Sequence, residues 1–362
     1  MGLLLEGVDK IVGREIHLKD IQLELATGSR TVILGRTLAG KTSLLRLMAG
    51  LDKPTHGRVL EDGRDVTKVT VRKRSVAMVY QQFINYPSLT VYDNIASPLK
   101  LAGIPKTEID TRVRRTAAML HIDNLLDRLP SELSGGQQQR TAIARALVKE
   151  SRLLLLDEPL VNLDYKLREE LRVELQQIFQ QRDAIVVYTT TEPAEALMLG
   201  GDIVVLDEGR MLQVGPTAQV YRRPATTRVA EIFSDPPINF LPGKVHQGRA
   251  HLGKDIHMPL QQHMQGLAES DYTFGVRCNH LCIAPSGADD IQLRAVVELS
   301  EINGSETFIH VVYDGHRLVI QHNGVQQLKI GREVPVYVNP CQFFVFDAAG
   351  RLAAAPGEAC RV

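Results

Sequence analysis

The chain has 362 residues, enough for two domains, and 44% of them are hydrophobic, so a substantial core can form. Its 42 basic and 42 acidic residues cancel, which excludes the basic surface that nucleic-acid binding needs. No apolar run approaches the ~18 residues of a membrane span, and the N-terminal stretch MGLLLEGVDK lacks the basic start and long apolar core of a signal peptide. Any membrane-spanning part is therefore expected from a partner.

In chain order, the first strong signal is a β-branched strand at residues 31–34, followed by Gly35-Arg36-Thr37-Leu38-Ala39-Gly40-Lys41-Thr42. This is G-x-x-x-x-G-K-[ST], a phosphate-binding loop, and residues 43–49, from Ser43 onward, read as the helix it opens. Glycines let successive backbone N–H groups turn toward phosphate oxygens, and the helix N-terminus adds partial positive charge. Lys41 is placed to reach the β- and γ-phosphates and the Thr42 hydroxyl to ligate Mg²⁺. A strand at residues 75–80 ends at Gln81. Residues 106–122 read as an amphipathic helix within a largely helical stretch from about 85 to 150. Leu133-Ser134-Gly135-Gly136-Gln137-Gln138-Gln139-Arg140 then opens a helix carried by residues 143–148.

The all-apolar run 153–156 reads as a buried parallel strand, and it ends in Asp157-Glu158. Ligands of open α/β sheets bind at such strand ends. Asp157 is a candidate Mg²⁺ ligand, and Glu158 a candidate general base for an attacking water. Asn162-Leu163-Asp164 precedes an amphipathic helix over 164–182, with Leu167, Leu171, Leu175 and Ile178 on one face. Strands alternating with helices up to this point predict a parallel α/β sheet. Ser234-Asp235-Pro236-Pro237 reads as a linker, which divides the chain into residues 1–235 and 236–362. Beyond it, short β-branched runs at 273–276, 295–299, 307–312, 317–321, 334–338 and 343–346 predict a small all-β sandwich or barrel. The four cysteines, all in this half, make no disulfide framework. Cys278 and Cys282 flank His280, but C-x-x-x-C without a second pair is a weak metal signal.

Taken together, the phosphate loop, Gln81, the 133–137 segment, Asp157-Glu158 and Asn162-Leu163-Asp164 resemble, in order and spacing, the ATP-binding cassette (ABC) ATPases over about residues 3–235. The resemblance implies a phosphate-loop fold with a helical insertion, and ATP and Mg²⁺ as ligands. Gln81 would be the Q-loop glutamine, joining Thr42 and Asp157 at Mg²⁺. Leu133, Ser134, Gly135, Gly136 and Gln137 would be the signature, and Asn162, Leu163 and Asp164 the D-loop. It also implies two cassettes dimerised head to tail, so that Ser134 and Gly136 contact the γ-phosphate held by the partner. The run QQFINYPSLTVYDN over 81–94, Ala49-Gly50-Leu51 with Gly57, Gly275-Val276-Arg277 and Gly304-Ser305-Glu306-Thr307 resemble the maltose-type sugar importer branch. There the β-rich tail is an OB-like regulatory domain. That branch implies two membrane permease subunits, a periplasmic substrate-binding protein, and a place on the cytoplasmic face of a bacterial inner membrane. Cys278-Asn279 stands where the branch has Pro-Glu, so the regulators of relatives do not transfer.

Three departures accompany the matches. Val12 occupies the position of the aromatic that stacks on adenine, and no Phe, Tyr or Trp precedes Tyr80. Thr191, in Thr189-Thr190-Thr191-Glu192-Pro193, occupies the position of the switch histidine. A hydroxyl there can donate to a γ-phosphate but cannot carry charge. Val161 replaces a small polar D-loop residue. With the 233–237 linker, these changes resemble a subgroup that pairs two different ATPases and imports glycerol or a related polyol, so a heterodimer is expected over a homodimer. A largely non-hydrolysing regulatory subunit and a soluble ABC ATPase outside transport are the other readings. Glu158 and the intact signature speak against the first. The absence of a second cassette or a long coiled-coil insertion speaks against the second.

Overall fold

The computed structural model describes residues 2–357 apart from Phe83, Asn162, Gln181 and Arg182. Its contacts divide the chain into two units, Met1–Thr217 and Ala218–Val362. The strands of the first unit are β1 (Gly2–Val12), β2 (Glu15–Ala26), β3 (Arg30–Leu34), β4 (His56–Glu61), β5 (Arg64–Asp65), β6 (Val76–Val79), β7 (Leu153–Asp157), β8 (Ile185–Thr190), β9 (Asp202–Asp207) and β10 (Arg210–Pro216). Its helices are α1 (Lys41–Ala49), α2 (Val91–Leu101), α3 (Lys106–Met119), α4 (Gly135–Leu147), α5 (Tyr165–Gln180) and α6 (Pro193–Leu199).

One sheet is antiparallel, in the order β2-β1-β4-β5. The other runs β10-β9-β3-β8-β7-β6 and is parallel except at its β10 edge. Between them lies a core that joins Leu5, Leu18 and Ile21 to Ile33, Leu155 and Val187, with Leu44, Leu45 and Met48 of α1 inside it. Strand β7 is buried at every residue, which is why it reads as a continuous apolar run rather than an alternating one. Full burial of Leu44 and Leu45 contributes about 1.5–3 kcal/mol each. That anchors α1 and with it the loop before it.

Registers set the level of the strand ends. Leu34 of β3 lies beside Thr190 of β8, and Thr189 lies beside Asp157 of β7. Three C-terminal ends therefore finish side by side, with β8 between the two strands that carry the phosphate loop and Asp157-Glu158.

The second unit holds α7 (Thr217–Arg222), almost wholly, and α8 (Thr227–Ile232). It also holds β11 (Asn239–His246), β12 (Arg249–Leu252), β13 (Ile256–Pro259), β14 (Ser270–Val276), β15 (Leu281–Cys282), β16 (Ile291–Asn303), β17 (Glu306–Tyr313), β18 (His316–Asn323), β19 (Glu333–Val338), β20 (Phe344–Phe346) and β21 (Leu352–Ala354). Two antiparallel sheets, β13-β12-β11-β14-β20-β21 and β15-β19-β16-β17-β18, share one core around Leu252, Phe274, Ile309, Val336 and Phe343. The division falls ahead of the 234–237 linker expected from the sequence. The physical reason is that α8 packs with this unit: Ala230 clusters with Ile238, Phe344 and Phe346. Arg277 completes the attachment. Its buried guanidinium stacks on the Tyr221 ring at 3.6 Å and donates to the Phe233 carbonyl, the Ser234 hydroxyl and the Tyr221 carbonyl. Cys278 and Cys282 are free thiols. Cys278 lies toward Gln321 at 3.6 Å, and no group of three or more His, Cys, Asp or Glu that could hold a metal occurs among the described residues.

Candidate nucleotide site

The loop between β3 and α1 is shaped by close approaches. A Cβ at Gly35 would lie 2.4 Å from the Leu206 carbonyl, and one at Gly40 would lie 2.6 Å from the His17 carbonyl. Gly40 also sits at φ 103°, a conformation other residues rarely adopt. Leu38 adopts φ 68° without being glycine, with its side chain 94% exposed, and Glu158 adopts φ 43°. Backbone strain of this kind concentrates at ligand-binding loops.

Lys41 is buried. Its ammonium donates to the carbonyls of Gly35 at 2.8 Å and Arg36 at 2.9 Å, and pairs with Glu158 at 3.0 Å. Gln81 donates to the other Glu158 oxygen at 3.4 Å. Asp157 is buried behind them. Burial pushes its carboxyl above the usual range, against hydrogen bonds from Thr42 and Thr189 that act the other way. Thr189 was not singled out from the sequence, yet it joins the two acids. Its hydroxyl donates to Asp157 Oδ1 at 3.0 Å and accepts from the Glu158 backbone N–H at 3.0 Å. Only the register of β8 against β7 reveals this.

These groups border a cleft of about 550 Å³, whose walls include Thr37, Leu38, Gly40, Lys41, Thr42, Ser43, Gln81, Glu158, Val161 and Thr191. Thr191 is held by its neighbours. Thr190 donates to the buried Glu195 carboxylate at 2.6 Å and accepts from the Glu192 N–H at 3.0 Å, and Glu192 pairs with Arg168. Oxygen donors around a buried carboxylate suit Mg²⁺.

Val12 does not line this cleft; Glu15, Ile16 and His17 do. The reason is the sheet order. β2, at the sheet edge, lies against the phosphate loop, where the His17 carbonyl meets Gly40, while β1 runs behind it. The signature residues lie outside the cleft. Ser134 caps α4 in a box with Gln137, each side chain bonding the other's backbone N–H. Ser134 and Gly135 are exposed, and Leu133 is buried. Gly136 is buried within the chain, and a Cβ there would lie 1.9 Å from Leu167 Cδ2 of α5. In the D-loop, Leu163 is buried and Asp164 accepts from the Leu167 N–H as the cap of α5. Asn162 lies outside the described residues.

The ABC transporter family matches residues 18–161, and the TOBE domain family matches residues 274–346. The trehalose/maltose import ATP-binding protein MalK of Thermococcus litoralis is 37% identical, over 96% of this chain and 97% of that protein. The chain belongs to the ABC transporter family. The sn-glycerol-3-phosphate import ATP-binding protein UgpC of Cupriavidus pinatubonensis is 36% identical over the same shares. A dimeric ATP-binding cassette in a post-hydrolysis state with ADP and Pi superposes with a TM-score of 0.54 at 28% identity, covering 59% of this chain and 98% of that one. This ABC chain is thus an ATPase coupled to transport, with an all-β TOBE domain that follows the cassette in sequence. None of these relatives' names points to a second, different ATPase subunit. Thr189 and Thr191 fall beyond the matched cassette segment, and His17 falls just before it.

Proposed function

We propose that this chain energises uptake of a sugar or polyol by a bacterial ABC importer, from the cytoplasmic face of the inner membrane. The observation that carries the reading is the convergence of Lys41, Thr42, Gln81, Glu158 and Thr191 on one cleft, with Asp157 buried beneath it. The substrate class rests on the names of the import relatives. No helix among the described residues is long and apolar enough to cross a membrane, so two permease subunits supply the pathway and a periplasmic binding protein supplies the cargo.

ATP phosphates entering the cleft replace Glu158 as the partner of Lys41. The released carboxylate is then placed to polarise a water at the γ-phosphate. Thr42, Asp157 and Gln81 would hold Mg²⁺, which would supply positive charge against the phosphates. Thr191 donates a hydrogen bond to the γ-phosphate but adds no charge. Ser134, exposed at the α4 cap, and Gly136 beside it serve the nucleotide of a second cassette. Co-purification with integral membrane proteins, and ATP turnover by the assembled complex that Glu158→Gln stops at this chain's site, test the reading. A soluble chain that turns over ATP without membrane partners would overturn it.

Thr191 favours a second reading of the assembly, in which the other cassette is a different ATPase. In a homodimer both sites would pair an intact signature with a histidine-less switch. In a heterodimer this chain's signature would complete a site whose switch histidine comes from the partner.

A further inference from the structure

We propose that Arg168 is a positioning residue for Thr191: by tying Glu192 to the D-loop segment, it holds the Thr191 hydroxyl where the γ-phosphate of ATP arrives. The inference rests on the reading of this cleft as the ATP site. Val161 and Thr191 both line the cleft, one from the loop before α5 and one from the segment after β8. Arg168 of α5 reaches both segments. Its Nη1 pairs with the carboxylate of Glu192, the residue next to Thr191, and its Nη2 donates to the Val161 carbonyl at 3.5 Å. Its Nε is enclosed and finds no hydrogen-bond partner among the described residues, so the two Nη contacts carry the attachment. A planar guanidinium offers such a fork, and a lysine ammonium does not.

Both ends of the span are fixed. Leu171 and Leu175, fully buried, seat α5, and the Asp164 carboxylate caps its start. The Arg168 side chain is 21% exposed, so its ion pair is partly shielded from water. Ahead of Thr191, the Thr190 hydroxyl donates to the buried Glu195 carboxylate at 2.6 Å. Thr190 and Glu192 thus anchor the two neighbours of Thr191, and the Glu192 anchor is the one that leads to the D-loop segment. The threonine hydroxyl sits directly on a stiff, β-branched Cβ, so its position in the cleft follows the backbone closely. The contact at Val161 uses the backbone carbonyl, so the apolar side chain at that position leaves it intact.

A contact made through Thr191 favours ATP over ADP, because ADP lacks the γ-phosphate. Arg168→Ala is expected to lower the ATP/ADP affinity ratio about fivefold, the weight of one hydrogen bond, with ADP affinity unchanged. Thr191→Ala is expected to do the same, and the double variant to lose no more than either alone, since Arg168 acts through Thr191. Calorimetry with each nucleotide reads the ratio on the full chain carrying Glu158→Gln, which preserves ATP during the titration. Melting midpoints follow folding. Where Arg168→Ala itself unfolds, Glu192→Ala cuts the same pair from its more exposed end and is expected to lower the ratio equally. An unchanged ratio in Arg168→Ala or in Thr191→Ala would overturn the proposal. Equal losses for ATP and ADP would overturn it too, as would additive losses in the double variant. Should Lys41→Ala bind ATP normally, the cleft itself is misassigned, and that failure is distinguishable from the others.

Discussion

At the residue scale, the charges that line the cleft pair with one another. Lys41 has a carboxylate partner at 3.0 Å, and that partner is the candidate base. Glu158→Gln removes the competitor as well as the base. The variant is expected to bind ATP at least as tightly as the parent, while turnover at its own site falls about 10²–10⁴-fold. Calorimetry beside a phosphate-release assay would show it, and unchanged turnover would remove Glu158 from the mechanism. Asp157 makes a different prediction. Burial raises its pKa, so the folded chain holds that proton longer than the unfolded chain does. Its contribution to stability is full below the unfolded pKa and is lost as pH rises through the folded one. Asp157→Asn should therefore stabilise the nucleotide-free protein relative to the parent at neutral pH, with the gap closing in acid. Denaturant midpoints at the two conditions test the sign. Loss of Mg²⁺-dependent turnover should accompany the gain.

At the element scale, side-chain caps fix where helices begin. Thr90 caps α2, Ser134 caps α4 and Asp164 caps α5. Arg140 then joins α4 to α5 through Glu174 at 2.6 Å and reaches the Leu120 carbonyl at 2.8 Å. The close approach of Gly136 to Leu167 belongs to the same joint. Gly136→Ala should lower stability by no more than about 0.5–1.5 kcal/mol, because the methyl displaces only the end of the half-buried Leu167 side chain, which can turn aside. Adding Leu167→Ala should restore part of that loss. If the double variant is no more stable than Gly136→Ala alone, the glycine is not required by this packing. In the second unit Arg277 plays the corresponding joining role, tying residues 221–234 to the sheets.

At the scale of the whole molecule, the two units divide the labour. The cassette gathers the candidate catalytic groups, and the TOBE domain carries its own core and its own buried arginine. The proposed pairing with a different cassette rests on Thr191. The chain purified alone should be nearly silent as an ATPase, and Thr191→His should raise its turnover, because imidazole reaches further and can carry charge. Vigorous turnover of the chain alone, unaffected by Thr191→His, would leave the heterodimer without support.

The sequence by itself determined the chemistry. The phosphate loop, Asp157-Glu158 and the signature each depend on contiguous residues, and local order is enough to read them. Each of the six runs expected as strands in the tail is a strand, because alternation and turn residues are local signals, while β11, β12, β13, β15 and β21 were not marked. Other features needed the tertiary structure. The bulges along β1 break its alternation, so the N-terminal sheet is not legible as a pattern. Thr189 becomes a partner of both acids only through the register of β8 against β7. Ile16 and His17 replace Val12 at the cleft because β2 and not β1 is the edge strand beside the loop. Gly136 is buried because α5 packs on α4 there. The unit boundary moved ahead of the proline pair because Arg277, far along the chain, holds residues 221–234. In each case the deciding contact joins residues distant in sequence, and no local pattern encodes it.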